Sequence, residues 1–231
     1  MKFLKTGLLI LTILICFLPF NTSKIYGQTI FNINDVLELM KQKYASIEDY
    51  EGSIVYYTKT KYSTTYTESS GKIYYKYPNK LRVIFDKPYD WEIVTNGKFL
   101  WVYLSTIYSV IKQDLDEDFS MDIDNSKKSL SYLTTNYMFR FLEEKTTYDF
   151  NGFKVYKLYG LPISVNAGFK RVDIYVSQDG FIVYQSGETK AGKQVVYYFT
   201  NVAFNTDIAD NFFEYENYMP PGAQIIENGL D

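Results

Sequence analysis

Apolar positions follow two periods along the chain. Val36, Leu37, Met40, Tyr44 and Ile47 recur every three or four residues, behind Asn32 or Asn34 as a cap and with Asp35 and Glu38 in the first turn. That spacing predicts an amphipathic helix whose apolar face needs a partner. From Ser53 the period drops to two, and Val, Ile, Thr and Tyr take over, the residues that strands favour. Strands are expected near Ser53 to Thr60, Thr64 to Glu68, Lys72 to Tyr77, Leu81 to Phe85, Glu92 to Thr95, Phe99 to Tyr103 and Ser109 to Gln113. Short turns separate them at Ser70-Gly71, Pro78-Asn79, Lys87-Pro88 and Asn96-Gly97, the last a strong signal for a tight hairpin.

The alternation breaks at Asp114 to Asn125, an acidic and aperiodic stretch. Leu130, Leu133, Tyr137 and Phe141 then predict a second helix over Ser126 to Leu142. Strands resume at Thr147 to Phe150, Lys154 to Leu161, Lys170 to Val176, Phe181 to Glu188 and Gln194 to Val202. Helix, antiparallel meander, helix, antiparallel meander is an α+β arrangement, with helices grouped on one face of a sheet.

Alternation also sorts the two faces of that sheet. Ile73, Tyr75 and Tyr77 oppose Lys72, Tyr74 and Lys76; Leu81, Val83 and Phe85 oppose Arg82, Ile84 and Asp86; Val172, Ile174 and Val176 oppose Arg171, Asp173 and Tyr175. One face is continuously apolar, and the lysines and arginines mark the other as the wet back. Any single apolar residue reads first as core beneath the helices, with the lining of a trough as the alternative.

Composition narrows the function classes. Residues 1 to 27 carry Lys2 and Lys5, an apolar run from Gly7 to Phe20 and a polar stretch ending at the small Gly27. This is the pattern of a cleaved secretory signal peptide, since about 14 apolar residues fall short of the ~20 that a membrane-spanning helix needs. One domain is then expected over 28–231. The leader holds three lysines and no acid, so the remainder is more acidic than the whole chain's net charge of −3, and nucleic acid is not an expected partner. Cys16 is the only cysteine and lies within the leader behind bulky Ile13, Leu14 and Ile15, which argues against a lipidated cysteine.

The chain has no histidine, which closes Ser-His-Asp triads, histidine bases and histidine-ligated zinc. No Gly-x-Gly pair offers a phosphate cradle. Read as a calcium loop from Asp114, the acidic stretch puts Phe119 where the turn glycine belongs and Asn125 in place of the bidentate glutamate. No pair of carboxylates is singled out by spacing. Neither an enzyme nor a cofactor is expected.

The order Gly71, Tyr77-Pro78-Asn79-Lys80-Leu81-Arg82, Asp86-Lys87-Pro88, Val94-Thr95-Asn96-Gly97-Lys98, Leu100-Trp101-Val102-Tyr103 resembles the periplasmic lipoprotein carriers of the LolA family. The resemblance extends to Asp179-Gly180, Phe199-Thr200-Asn201-Val202, Asn205, Phe212-Phe213 and Pro221-Gly222. It implies a curved, incomplete β-barrel of about eleven antiparallel strands, LolA-like, whose concave face is covered by helices acting as a lid. It further implies a monomeric periplasmic carrier whose cavity takes the acyl chains of lipoproteins from an inner-membrane ABC-type transporter and delivers them to an outer-membrane acceptor, without covalent chemistry.

A cavity of that kind answers a physical need. At ~0.8 kcal/mol per buried methylene, an acyl chain of ~16 carbons costs on the order of 12 kcal/mol to hold bare in water. Ile73, Tyr75, Tyr77, Leu81, Val83, Phe85, Leu130, Leu133, Val172 and Ile174 are the expected lining. Family members commonly carry an inward arginine before the motif's proline, where it latches the lid; here that position is Tyr77. The substitution leaves open a LolA-like sensor or adaptor, or another lipid-binding module that regulates envelope processes.

Overall fold

The computed structural model describes residues 32–115, 126–143 and 147–227. The first helix, α1 (Ile33–Ser46), starts where the sequence says it should. The Asn32 side chain accepts from the amides of Asn34 and Asp35, while Asp35 Oδ2 accepts the Asn32 amide at 2.7 Å. This reciprocal capping box satisfies the orphan donors of the first turn. Val36, Met40 and Tyr44 are the buried face.

Strands follow: β1 (Asp49–Lys59), β2 (Thr67–Lys76), β3 (Lys80–Lys87), β4 (Trp91–Thr95), β5 (Phe99–Leu104) and β6 (Ser109–Asp114). After α2 (Lys127–Asn136) come β7 (Tyr137–Phe141), β8 (Tyr148–Phe150), β9 (Phe153–Pro162), β10 (Phe169–Ser177), β11 (Ile182–Thr189), β12 (Gln194–Phe204) and β13 (Gln224–Glu227). They form one open, curved sheet in the order β13-β6-β5-β4-β3-β2-β1-β12-β11-β10-β9-β7, with β8 also paired to β9. All pairs are antiparallel except β13 with β6. The α+β reading holds, with thirteen strands among the described residues rather than about eleven.

Three expectations are corrected. Thr64 to Glu68 is not a strand of its own: β2 starts at Thr67, and the stretch before it is loop. The helix expected over Ser126 to Leu142 stops at Asn136, because from Tyr137 burial alternates residue by residue, with Tyr137 and Phe139 in and Met138 and Arg140 out. Leu130 and Leu133 belong to a helical face, whereas Tyr137 and Phe141 belong to a strand. The third concerns the back of the sheet, where Arg82 is only 7% exposed rather than wet.

A C-terminal segment covers that back. Asp49 receives the amides of Thr206 at 2.7 Å and Ile208 at 3.1 Å, which anchors the segment where β12 ends. Lys76 and Lys80 both pair with Asp210, at 3.0 and 3.1 Å. Arg82 then sits between the rings of Phe212 and Tyr218, 4.5 and 4.4 Å from their centroids, and bonds Glu92 Oε1 and the Phe212 carbonyl. Val94, Trp101, Val110 and Tyr215 make a second, smaller core there.

The main core lies on the concave face beneath α1 and α2, which touch each other. α1 is fixed at one end of the sheet: Lys43 pairs with Asp179 at 2.7 Å, and its ammonium stands 3.5 Å from the Phe204 ring centre. Gly180, at φ +95°, is required there, since a Cβ would stand 2.4 Å from the Leu39 carbonyl oxygen. The predicted signal peptide and most of the acidic stretch (116–125) lie outside the described residues.

Candidate functional site

Ile73 and Tyr75 from β2 stand opposite Val83 and Leu81 from β3, with Phe85 one step further along. Val172 and Ile174 come from β10, on the other arm of the sheet. Between the arms run Ile54 of β1, Tyr197 and Phe199 of β12, and Gln185 and Val183 of β11. Leu130 and Leu133, one helical turn apart on α2, close over this floor. Nine of the ten expected lining residues therefore meet in one continuous apolar cluster, each no more than 5% exposed.

Aromatic rings give the cluster its bulk. Phe85 and Trp91 stack at 4.2 Å, Tyr50 and Tyr75 at 5.3 Å, and Tyr44 and Phe181 at 5.9 Å. The Tyr75 hydroxyl donates to the Pro78 carbonyl at 3.3 Å, so its polar tip is satisfied at the rim and its ring is left to the interior. Gln185 is the polar exception: it is 5% exposed and stands across from Ile174 and Tyr197.

Tyr77 is the expected lining residue that the structure places elsewhere. β2 ends at Lys76, so the alternation that pointed Tyr77 inward does not extend into the turn that holds it, and its side chain is 52% exposed. It still meets the covering helix. Lys127, the first residue of α2, holds its ammonium 4.3 Å from the Tyr77 ring centre. The ring, rather than the hydroxyl, makes this contact, which is a cation–π pair.

A cleft of about 630 Å³ opens at the Gly180 end of the sheet. Its walls include Phe153, Phe181, Val183, Phe199, Val202 and Phe204, with Lys154, Ser177 and Asp179 at polar positions. Phe181, Val183 and Phe199 belong to the main cluster as well, so the cleft leads directly onto it. None of the three was among the expected lining residues, although the alternation Val195, Tyr197, Phe199 was open to the same reading as Val172 and Ile174. Asp179 is held below the usual carboxylate range: burial opposes its charge, but hydrogen bonds from Lys43 and Ser177 outweigh that cost.

The arrangement offers an extended apolar surface with few polar groups. Among the described residues no group of three or more acidic, cysteine or histidine side chains is placed to hold a metal ion, and no helix is long and apolar enough to cross a membrane.

Known proteins share both the sequence pattern and the fold. Residues 47–216 match the family described as outer membrane lipoprotein carrier protein LolA. An outer-membrane lipoprotein carrier protein of Actinobacillus succinogenes is 29% identical over 158 residues, 68% of this chain and 69% of the relative. Among solved structures, an uncharacterized conserved protein of Thermus thermophilus superposes at a TM-score of 0.54 with 13% identity, over 84% of this chain and 98% of its own. A LolA superfamily protein of Nitrosomonas europaea matches at a TM-score of 0.40 with 15% identity, over 79% of this chain and 97% of its own. With the family pattern running through most of its length, the chain belongs to the LolA family of outer membrane lipoprotein carrier proteins.

Proposed function

We propose that this protein is a periplasmic carrier that holds the acyl chains of lipoproteins between the concave sheet and helices α1 and α2. The observation that carries the reading is the continuous cluster in which Ile73, Tyr75, Leu81, Val83, Phe85, Val172 and Ile174 share one face with Leu130 and Leu133 of the covering helix. A surface of that kind shields featureless chains by burial alone, at about 25 cal/mol per Å² of apolar area removed from water. Aromatic and aliphatic side chains can repack around a flexible tail without leaving polar groups unpaired.

In this reading the closed form buries its own apolar residues against each other, and cargo takes their place when α2 lifts. The cleft at the Gly180 end reaches Phe181, Val183 and Phe199 from outside, and it is the route by which a chain end enters. The partners are then an inner-membrane ABC-type transporter that loads the carrier and an outer-membrane acceptor that unloads it. Export behind a cleaved signal peptide places the protein between the two.

The test is release of a radiolabelled, acylated lipoprotein from spheroplasts. Added protein should bring the lipoprotein into a soluble one-to-one complex, and a Leu133→Asp variant, which puts a charge under α2, should not. If the lipoprotein stays on the spheroplasts while the protein pulls down an unacylated protein partner, the chain is a sensor or adaptor built on the same fold.

A further inference from the structure

Three connections come together at the end of the sheet away from Gly180. They are the loop 60–66 between β1 and β2, the loop 163–168 between β9 and β10, and the turn 190–193 between β11 and β12. Register sets them side by side, with Lys59 opposite Gln194 and Phe169 opposite Thr189. Tyr66 donates to Gln194 Oε1 at 2.5 Å, and Lys190 Nζ donates to the Val165 carbonyl at 2.7 Å.

Lys59, Lys61, Lys170 and Lys190 line a pocket of about 240 Å³ among these loops. Glu188 is the one acid in its wall and is already paired with Lys170 at 2.5 Å. On a chain of net charge −3, this reverses the sign of the surface locally. Flanking the pocket, Tyr62 is 91% exposed, Val165 88% and Ile163 61%. Large apolar groups thus stand at loop tips with lysines between them.

We propose that this end of the molecule docks on an anionic phospholipid bilayer, the lysine pocket taking a headgroup phosphate while Tyr62, Ile163 and Val165 enter the interface. Isolated apolar tips separated by lysines suit a fluid headgroup layer, where tyrosine rings sit at the interface and basic residues meet the negative surface. A protein-binding patch is built differently, with a contiguous core depleted of lysine.

The docking end is coupled to the cover of the trough. Tyr132 of α2 donates to the Asn166 carbonyl at 2.9 Å and accepts the Gly168 amide at 2.7 Å, and the Ile163 amide donates to the Asn136 carbonyl at 2.9 Å. A loop seated on a membrane is therefore bonded to the helix that would have to lift. The inference itself stands apart from the carrier reading, because it concerns a different surface.

Flotation with lipid vesicles tests it. The full chain should float with phosphatidylcholine vesicles carrying about one third phosphatidylglycerol and not with phosphatidylcholine alone, and should be released at about 1 M salt, where the screening length is about 3 Å. Lys59→Gln with Lys61→Gln should weaken binding about 25-fold, near fivefold per lysine. Tyr62→Ser with Val165→Ser should weaken it while leaving the salt dependence in place. Lys190 is kept intact because it holds loop 163–168. Failure of the unmodified protein to float at low salt, or undiminished flotation of the lysine variant, would overturn the proposal, as would retention on an acidic protein without any on vesicles. Lipopeptide binding measured on the same variants separates this outcome from failure of the carrier reading, since none of the substituted residues belongs to the apolar cluster.

Discussion

Tyr77, in the turn after β2, has a cation as its neighbour. Lys127 over the Tyr77 ring ties the start of α2 to the turn after β2, a contact worth about 0.5–1 kcal/mol at an exposed site. Tyr77→Arg should therefore loosen the contact between α2 and the turn, because it sets like charges together. Stopped-flow uptake of bis-ANS should speed up about twofold to fivefold in Tyr77→Ala, the factor that 0.5–1 kcal/mol gives, and further in Tyr77→Arg. A slower uptake in Tyr77→Arg would mean that Lys127 plays no part.

At the scale of elements, the segment from Thr206 to Tyr218 decides which side of the sheet is wet. Arg82 and Glu92 are a buried pair beneath it, and burial pushes the Glu92 carboxyl up even though the Arg82 charge pulls it down. Removing one member leaves the other uncompensated. Arg82→Leu should cost about 3–5 kcal/mol in chemical denaturation, and the double change with Glu92→Leu should recover most of it. Gly71 tests the β2–β3 pairing. A Cβ there would stand 1.9 Å from the Ile84 carbonyl oxygen, so Gly71→Ala should break the register that sets Ile73 against Val83, seen as lost protection of those amides in hydrogen exchange. Period alone could not foresee either feature. Alternation sorted the residues of β3 correctly, but it carries no information on whether a segment about 130 positions further on, such as Phe212 against Arg82, will cover the polar face. In the same way, Leu130 and Leu133 continue into Tyr137 and Phe141 at helical spacing, and only tertiary pairing of Tyr137 to Phe141 with β9 ends the helix at Asn136.

For the molecule as a whole, two carboxylates hold its outer pieces in place. Asp179 ties α1 to the β10–β11 turn, and Asp210, held low by hydrogen bonds from Lys76 and Lys80, ties the C-terminal segment to β2 and β3. Both have native pKa values below the unfolded one, so the unfolded chain takes up more protons as pH falls. Their stabilisation is complete above the ordinary carboxylate value of 3.8 and is lost as pH drops through the native values. The urea midpoint should fall as pH drops below the ordinary carboxylate value, and Asp179→Asn should flatten that slope. The buried apolar face was legible in the sequence because a buried face of strands has a period of two: Ile73, Tyr75, Leu81, Val83, Phe85, Val172 and Ile174 all fall in the main cluster. Tyr77 does not, since a period says nothing about where a strand stops. Lysines 59, 61, 170 and 190 escaped for the same kind of reason, because only the strand register brings their loops together. The proposal that the apolar cluster holds acyl chains is tested by native mass spectrometry of the protein purified from its own cells: acylated peptides or lipoproteins should be bound one per chain and be lost in Leu133→Asp. A spectrum showing only the bare chain, or the chain with an unacylated protein partner, would contradict it.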